Sequence, residues 1–358
     1  MKTKSIITLA TLVSIISGCG SVSRDNFHEE FSSPIEQIIY YSSLAGNSHN
    51  TQPWYVEIVN DSLLYLKADF SRKLHIVDPD ARGLFISLGA FLENLDLAAG
   101  SLGYKADIEI TAQHKNDSNV AVIHLSKSQK SGYDLNQIKN RRTLRTSFHK
   151  TEISKDDLNK LISNKNSEVI YFSSSSEEGK YITEQTLAAY IQQAKDDQAK
   201  QELANWMRFS NSDVEKYRDG LTTSGMGITG FSGLFVRNFY KPEDSMKDSF
   251  IKTGIDKTKE QTENCGGWLV IIQNEDSPER WIKTGRLYEK LNLACRDMMI
   301  GFHPMNQMIE EDNFEKNANE HLSLPGVIQF VARVGYVDEY PPANSVRRSV
   351  KEIIRYAE

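Results

Sequence analysis

The sequence predicts an α+β fold made of two similar halves, and three observations lead to this prediction. Two distant stretches, 89–98 and 285–294, share a glycine, a glutamate, two leucines and an alanine at a constant offset. Both place apolar residues at helical spacing. Each is followed by a glycine at which a helix is expected to stop, Gly103 or Gly301, and then by an apolar strand. The shared order favours an internal duplication over a chance similarity between two amphipathic helices.

The two halves differ at their front ends. The first half begins with a predicted helix over 33–46, passes through the polar stretch "NSHNTQPW" (47–54) and continues into a predicted strand hairpin over 54–69. The second half begins with a predicted helix over 153–164, in which Ser154 is the expected N-cap. It has no counterpart of the polar stretch. One half therefore carries a candidate polar site that the other lacks.

Two arginine clusters belong to the second half. The stretch "NRRTLRTSF" (140–148) stands directly before it, and "NSVRRSVKEII" (344–354) lies at its far end. On a helical start, Arg141 and Arg145 fall four positions apart on one face, where two cations repel each other. This spacing favours a bound anion between them. A solvated cationic turn is the alternative for the first cluster, and a solvated tail for the second.

The first nineteen residues have the pattern of a secretory signal, with two lysines, an apolar run and then small residues. The end of this segment, Ile16-Ser17-Gly18-Cys19, resembles a bacterial lipobox, which predicts cleavage before Cys19 and lipidation of its thiol. An ordinary signal with a chance cysteine is the alternative. Because no Asp follows Cys19, we expect the protein on the periplasmic side of the outer membrane. Residues 20–33 are predicted to form a polar tether.

Composition narrows the function classes. With 39% hydrophobic residues the chain can bury a globular core, and its net charge of -6, without long blocks of one sign, argues against nucleic acid as a partner. No spacing of cysteine and histidine resembles a metal site. Cys265 and Cys295 could form one disulfide, but Cys295 lies on an apolar helical face, which favours a buried free thiol.

These residues together resemble the nitroreductase family of FMN proteins, and specifically its single-chain, internally duplicated (Acg-like) branch. The resemblance runs from about residue 33 to the end, and also includes "DGL" (219–221) and "FVARVGY" followed by "PPANSVRRSV". The family's homodimers build two FMN sites across their interface. A fused dimer with the Arg motif in one copy and the polar loop in the other implies one intact site in a monomer that mimics the dimer. The implied segments are the signal 1–19, the tether 20–33, a first nitroreductase-like half 34–128, a connecting segment with the Arg motif 129–150 and a second half 151–358.

The resemblance also implies roles for individual residues. Bidentate cations suit the FMN phosphate, and neutral donors and acceptors suit the ribityl chain and ring edge. A cation near the pyrimidine side would raise the flavin potential, and the backbone at 305–307 matches the family loop that faces the reactive N5. The predicted phosphate ligands are Arg141, Arg145 and Arg348, the neutral group is Ser48, Asn50 and Gln52, the potential-raising cation is Arg142, and Met305, Asn306, Gln307 and Arg347 complete the cofactor-binding set. Pro53 and Trp54 are expected to be structural, and His49 and His303 are each expected to be packed or solvated.

An insertion over about 205–245 in the second half is predicted to form a lid over the flavin. Its glycines alternate with apolar residues, which gives an apolar surface on a backbone with many hinges. A plain surface helix and loop is one alternative. Contact with the membrane is another.

The implied function is an FMN-dependent oxidoreductase that passes electrons through flavin N5 to a nitroaromatic or quinone-like acceptor. NAD(P)H, the usual donor of the family, is not expected outside the cytoplasm, and no Gly-x-Gly-x-x-Gly fingerprint lies at a strand-helix junction. A quinol, a membrane redox partner or a small thiol remains open as donor. One alternative is a flavin-binding lipoprotein for storage or sensing, without turnover. Another is a surface lipoprotein whose flavin site has decayed.

Overall fold

The computed structural model describes residues 20–162 and 167–357. The predicted signal and lipobox fall on residues 1–19, outside the described part of the chain. The strands are β1 Trp54–Asn60, β2 Leu63–Ala68, β3 Tyr104–Ile110, β4 Asn119–Lys127, β5 Val169–Ser173, β6 Met207–Arg208, β7 Leu221–Thr222, β8 Gly267–Gln273, β9 Ile300–Pro304, β10 Val327–Tyr336 and β11 Ile354–Tyr356. The helices are α1 Pro34–Ser43, α2 Arg82–Leu102, α3 Leu135–Asn140, α4 Lys155–Leu161, α5 Glu177–Lys195, α6 Asp197–Asn205, α7 Asn211–Tyr217, α8 Gly230–Phe239, α9 Asp248–Glu263, α10 Pro278–Asp297, α11 Gln307–Glu310, α12 Asp312–His321 and α13 Val350–Ile353. The predicted α+β class is confirmed.

Two larger sheets form the body of the protein. The first has the strand order β11-β1-β2-β4-β3, and its β1 and β2 form the antiparallel hairpin predicted from the sequence. The second has the order β5-β8-β10-β9. Apart from β11 at the edge of the first sheet, each sheet has four strands, which lie side by side in the order first, second, fourth and third along the chain. A long helix, α2 or α10, joins the second strand to the third in each case, so the two sheets share one connectivity. Residues 174–266 separate β5 from β8 and contain the predicted lid.

The helices α2 and α10 cross where Gly89 meets Gly285. A Cβ atom on Gly89 would lie 2.0 Å from the carbonyl oxygen of Ile282, and one on Gly285 would lie 1.9 Å from that of Ile86. The contact is reciprocal, because each glycine faces the residue three positions before the other. Only glycine at both positions permits this approach. Alone among the described helices, α2 is long and apolar enough to cross a membrane, but 72% of its most apolar stretch is buried, as in a core helix.

The last strand completes the first sheet from the far end of the chain. In β11, Ile354 pairs in parallel with Val56 of β1. The chain therefore leaves the second sheet after β10 and ends beside the first strand of the first sheet. This crossing brings the second arginine cluster next to the polar stretch 47–54.

Local signals in the sequence are confirmed at two helix ends and wrong at a third. The Oγ of Ser154 accepts a hydrogen bond from the Asp157 amide and caps α4, and Gly103 ends α2 at a φ of 84°. Gly301 does not end α10, which stops at Asp297, and lies instead in β9. A Cβ at Gly301 would lie 2.5 Å from the ring of Phe148. The glycine is there to accommodate an aromatic ring.

The segment 20–33, expected to be a polar tether, is packed against the body over part of its length. Val22 is buried in a small apolar cluster with Val214 and Val346. The carboxylate of Glu29 forms an ion pair with Arg218 at 2.6 Å. The segment therefore has a fixed path on the protein surface.

Both cysteines in the described part of the chain are free and buried, as expected for Cys295. Burial raises the pKa of the Cys265 thiol to about 11 and raises that of Cys295 still further. Neither thiol ionises at neutral pH, so neither acts as a nucleophile in the native fold.

Candidate functional site

The polar stretch 47–54 forms a tight loop between α1 and β1. Its His49, Asn50 and Gln52 have positive φ angles of 48°, 54° and 53°. Each such residue costs about 1–3 kcal/mol and persists only where its surroundings fix it. Here the Gln52 amide donates to Oδ1 of Asn47 at 2.9 Å, and the Ser48 amide donates to Oγ of Ser87 at 3.3 Å. The loop is thus built to hold one unusual conformation.

Asn50 joins this loop to two distant segments. Its Nδ2 donates to the carbonyl oxygens of Gly220 and Val346, each at 3.2 Å, and its Oδ1 accepts from Nη1 of Arg347 at 2.9 Å. The Gly220 amide donates back to the carbonyl of Asn50 at 3.1 Å. Asn50, which is predicted to bind FMN, therefore also connects three segments of the site by hydrogen bonds.

A polar cleft lies where these segments meet. It contains about 560 Å³ of space between protein atoms, part of which is open solvent. Its walls come from the loop after α1, the Arg motif, the start of the insertion and the segment before α13. The lining residues are Gly46, Asn47, His49, Asn50, Arg141, Thr143, Arg145, Gly220, Leu221, Thr222, Gly225, Asn344, Ser345 and Arg347.

Arg141 lies buried at the floor of the cleft. Its Nε is 3.1 Å from the carboxylate of buried Glu289, and its Nη2 donates to the Leu44 carbonyl at 3.1 Å. Its Nη1 is buried and has no hydrogen-bond partner among the described residues. Burial has the largest single effect and lowers the pKa of this guanidinium, but Glu289, Tyr288 and Tyr340 together outweigh it, so the net shift is upward and Arg141 stays charged. A buried donor without an acceptor costs free energy that an anionic ligand would recover.

Arg145 is the second cation of the cleft. Its Nη1 donates to the Gly225 carbonyl at 2.7 Å, and it forms no ion pair with any described residue. Burial lowers its pKa to about 10, so the side chain remains charged at neutral pH. The Arg motif is not helical, since α3 ends at Asn140 and Arg141 is extended. The predicted helical spacing is therefore wrong, although both cations still reach one site.

Arg347 and Arg348 have other partners. Arg347 lines the cleft, but its guanidinium donates to the carbonyls of Ser43, Leu44 and Ala45 at the end of α1 and to Asn50. Arg348 lies outside the cleft lining, and its Nη2 donates to the carbonyls of Gln52 and Trp54, each at 2.8 Å. Both arginines therefore brace the loop, and the role of Arg348 as a phosphate ligand stays a prediction.

The remaining predicted residues also lie outside the lining. Gln52 is buried, and its Nε2 donates to the Arg218 carbonyl while its Oε1 accepts the Arg348 amide. Arg142 donates to the Pro342 carbonyl at 2.7 Å. The amide of Met305 donates to the Val331 carbonyl at 2.8 Å, and Oδ1 of Asn306 accepts the Val331 amide. Ser48 and Gln307 are likewise absent from the cleft walls.

Sequence reasoning missed several lining residues. Gly220 and Leu221 belong to "DGL", and Asn344 and Ser345 belong to "PPANS". Both stretches contribute to the family resemblance, which implies no role for their individual residues. Thr143 stands between Arg141 and Arg145 in the sequence. Proximity to recognised motifs was the signal that could have found all of these residues.

Two histidines are neutral near Arg145. Burial, with a contribution from Arg145, lowers the pKa of His49 to about 4. Burial and the positive charges of Arg333 and Arg145 hold the pKa of His303 well below its usual value. The Nδ1 of His303 accepts a hydrogen bond from Nε of Arg333 at 3.0 Å, which leaves the proton on Nε2. His303 is packed as expected, whereas His49 lines the cleft.

Comparison with known proteins finds relatives that are named as nitroreductases. No family model matches the chain. Proteins from two strains of Mycobacterium tuberculosis, each with the name "Putative NAD(P)H nitroreductase", are 30% identical to the chain over 99 residues. Over this region the chain is similar to nitroreductases. The match spans 27% of the chain and only 28% of each relative's length.

Solved structures of nitroreductases are also similar at low identity. The FMN-dependent nitroreductase NfnB of Mycobacterium smegmatis, solved with NADPH, is 13% identical, with a TM-score of 0.38 over 62% of this chain and 97% of that one. An FMN-dependent nitroreductase of Clostridium difficile is 14% identical, with a TM-score of 0.30 over 59% of this chain and 91% of that one.

Proposed function

We propose that the protein is an FMN-binding oxidoreductase of the nitroreductase type, which passes electrons through flavin N5 to a nitroaromatic or quinone-like acceptor. The observation that carries this proposal is the unpartnered Nη1 of buried Arg141 on the floor of a polar cleft, next to Arg145. Glu289 forms an ion pair with Arg141, whereas Arg145 forms an ion pair with no described residue. The excess positive charge fits the phosphate of FMN. The regional similarity to nitroreductases supports the same conclusion.

The lining offers suitable groups for each part of the cofactor. Arg141 and Arg145 would hold the phosphate by charge-assisted hydrogen bonds. Asn47, Thr143 and Ser345 offer neutral donors and acceptors for the ribityl hydroxyls. When bound, FMN supplies reversible transfer of one or two electrons, while the protein binds and orients it and sets its surroundings.

The proposal includes an internal duplication that makes one chain equivalent to the family homodimer. The matching strand orders and the reciprocal contact of Gly89 with Gly285 support it. The cleft fits the same scheme, because its loop comes from the first half and its arginines stand beside and within the second. Such a chain would act as a monomer with one FMN, and the insertion would serve as its lid. Residues 220–225 of the insertion supply one wall of the cleft.

Export and lipid anchoring at Cys19 are also part of the proposal, and they rest on the pattern of residues 1–19. With NAD(P)H scarce outside the cytoplasm, a quinol or another membrane-linked donor would supply the electrons. The acceptor would meet the flavin in the same cleft.

Flavin binding is tested by expressing residues 20–358 and measuring flavin identity and stoichiometry. Arg145→Ala and Asn50→Ala should each lose most of the FMN, since one removes a phosphate cation and the other disconnects the loop. Arg142→Ala is the matched control, because Arg142 belongs to the same motif but lies outside the cleft lining. If the first two variants bind FMN as tightly as the unmodified protein, the site assignment is wrong.

Turnover is tested separately by anaerobic reduction of the flavin-loaded protein with NADH, NADPH and a soluble quinol analogue. Bleaching of the flavin by any donor, followed by reoxidation with a nitroaromatic or quinone, would support an oxidoreductase. A flavin that binds but is reduced by none of them would point to the storage or sensing alternative.

A further inference from the structure

The helix α8 in the insertion carries an exposed aromatic face. Phe231, Phe235 and Phe239 are four positions apart and therefore lie on one side of the helix. Their side chains are 84%, 49% and 71% exposed, and the rings of Phe235 and Phe239 lie 4.9 Å apart. Three exposed phenylalanines in one row are unusual on a water-soluble surface and mark a site of interaction.

The rest of the helix carries no negative charge that an anionic lipid surface would repel. Gly233 is the only residue of α8 that is buried, so the helix lies on the protein rather than within it. Its sequence, GFSGLFVRNF, contains no acidic residue and one arginine, Arg237. Aromatic rings with a nearby cation are typical of helices that lie in the interfacial region of a bilayer.

The start of the described chain is fixed beside this helix. Gly20 and Ser21 line the same surface groove as Phe231 and Leu234 of α8. The carbonyl of Gly20 accepts a hydrogen bond from Nδ2 of Asn211 at 2.9 Å. Two residues on, Val22 is buried against the body. The attachment point expected at residue 19 is therefore one residue, about 3.5 Å of chain, from the groove.

We propose that the aromatic face of α8, formed by Phe231, Phe235 and Phe239, rests in the interfacial region of the lipid bilayer to which the chain is anchored. The inference rests on the proposed lipidation of Cys19 for its choice of partner. Acyl chains attached one residue before Gly20 must enter the bilayer next to this groove, because the segment after them is docked and cannot swing away. Phenylalanine rings are more stable in that apolar layer than in water.

This orientation places the flavin cleft near the membrane. Ser224 lines the groove beside α8, and the next residue, Gly225, lines the cleft and accepts the hydrogen bond of Arg145. The same short segment thus separates the membrane-facing groove from the proposed FMN site. An electron carrier dissolved in the bilayer would therefore approach the proposed FMN site from the side of this segment.

Depth-dependent fluorescence quenching tests the proposal. The full-length chain would be processed in a bacterial host, purified and reconstituted into vesicles of phosphatidylethanolamine and phosphatidylglycerol with brominated acyl chains. Phe235→Trp should be strongly quenched by the brominated lipid. The control is Tyr356→Trp, since Tyr356 is 68% exposed but lies on β11, and it should keep its emission. Three of the native tryptophans, Trp54, Trp268 and Trp281, are buried and supply a constant background.

Mass spectrometry of the same sample reports separately on the anchor. Quenching at position 235 in protein that is lipidated at Cys19 supports both proposals. No quenching in lipidated protein, with position 235 open to aqueous iodide, overturns the membrane contact and leaves the anchor standing. If Cys19 is unmodified, the anchor proposal fails, and the same measurement on the unlipidated chain decides whether the face binds lipid.

A second copy of the chain is the competing occupant of this face. Sedimentation of the protein in the absence of lipid should show a monomer, both for the unmodified chain and for Phe231→Ser/Phe235→Ser/Phe239→Ser. A concentration-dependent dimer that the triple substitution abolishes would overturn the proposal, because the phenylalanines would then cover each other.

Discussion

At the scale of single residues, the Arg141–Glu289 pair controls the charge of the cleft. Both side chains are buried, and Glu289 also accepts a hydrogen bond from the Gly46 amide at 3.2 Å. Burial raises the pKa of Glu289, and Arg141 offsets part of that rise. The glutamate therefore stabilises a buried cation while it also reduces the attraction of the cleft for an anion.

Glu289→Gln should make folding depend on a bound anion. The substituted amide would keep the shape of the side chain but leave the charge of Arg141 without a partner, and breaking a buried pair costs about 3–5 kcal/mol. Inorganic phosphate should recover part of this loss by occupying the cleft. Thermal unfolding with and without phosphate measures the effect.

Glu93→Gln is the matched control, because Glu93 occupies the corresponding repeat position and pairs with Arg286 at 2.9 Å near the surface. We expect a loss below about 1 kcal/mol and no added response to phosphate. An equal response of both variants to phosphate would place the anion site elsewhere.

His49 should make the protein less stable in mild acid. Its pKa is lowered to about 4 in the folded state, whereas an unfolded histidine titrates near 6.5. Between these values the unfolded chain takes up a proton that the folded chain does not, so stability falls as pH falls from about 6.5 to about 4. The full shift corresponds to about 3 kcal/mol, and partial exposure of the side chain reduces it.

The check is urea unfolding from pH 7 to pH 4 for the unmodified protein and for His49→Gln. The variant should lose less stability over this range. His114→Gln, at an exposed position, is the matched control for the exchange of histidine for glutamine. Parallel curves for His49→Gln and the unmodified protein would contradict the burial of a neutral imidazole.

The sequence predicts the residue types of the site, but it does not predict which arginines face the cleft freely and which bind backbone carbonyls. Composition and motif order led to Asn50, Arg141 and Arg145, which meet in the cleft. The sequence could not show that the Arg347 guanidinium donates its hydrogen bonds to carbonyls at the end of α1, because these carbonyls lie about 300 positions away in the chain. Long-range hydrogen bonds of this kind leave no local pattern.

At the scale of secondary structure, the crossing of α2 and α10 depends on two glycines. Gly89→Ala would put a Cβ 2.0 Å from a backbone oxygen, which no side-chain rotation can relieve. The helices must separate, and we expect a loss of about 2–4 kcal/mol. Gly285→Ala should cost a similar amount, because the contact is reciprocal. Chemical denaturation measures both variants.

Gly100→Ala is the control within the same helix. Its Cβ would lie 3.2 Å from the Ser131 hydroxyl, which can rotate away. Since alanine is the better helix former, this variant should be neutral or more stable by up to about 1 kcal/mol. If all three alanine variants behave alike, close helix packing is not what requires the glycines.

Helix and strand periodicity predicted the long elements well, because their cores repeat along the chain. The two failures came from residues whose meaning depends on a neighbour. The sequence predicts a helix stop at Gly301, which instead makes room for Phe148, and a helical Arg motif, although α3 ends at Asn140 and Arg141 is not helical. The same glycine or pair of arginines in a sequence can take several structural roles, and the neighbouring residues in the fold decide which one it takes.

At the scale of the whole molecule, the shared connectivity of the two sheets predicts a monomer with one cofactor. The loop 47–54 occurs once in the chain, and its arginine partners also occur once. Sedimentation equilibrium of the flavin-loaded protein should give a single chain, and absorbance should give one FMN for each. Two flavins per chain would refute the single-site proposal, and a stable dimer would refute the mimicry of a homodimer.

The pairing of β11 with β1 also constrains the order of events during biosynthesis. The guanidinium of Arg347 reaches Asn50 across 297 positions, and Ile354 must find Val56 before the first sheet is complete. Because a chain is made from its N-terminus, almost the whole protein has to be synthesised before the cleft can close. Contacts this distant also form late, since a very long loop must be closed first. The cleft is therefore among the last parts of the fold to form.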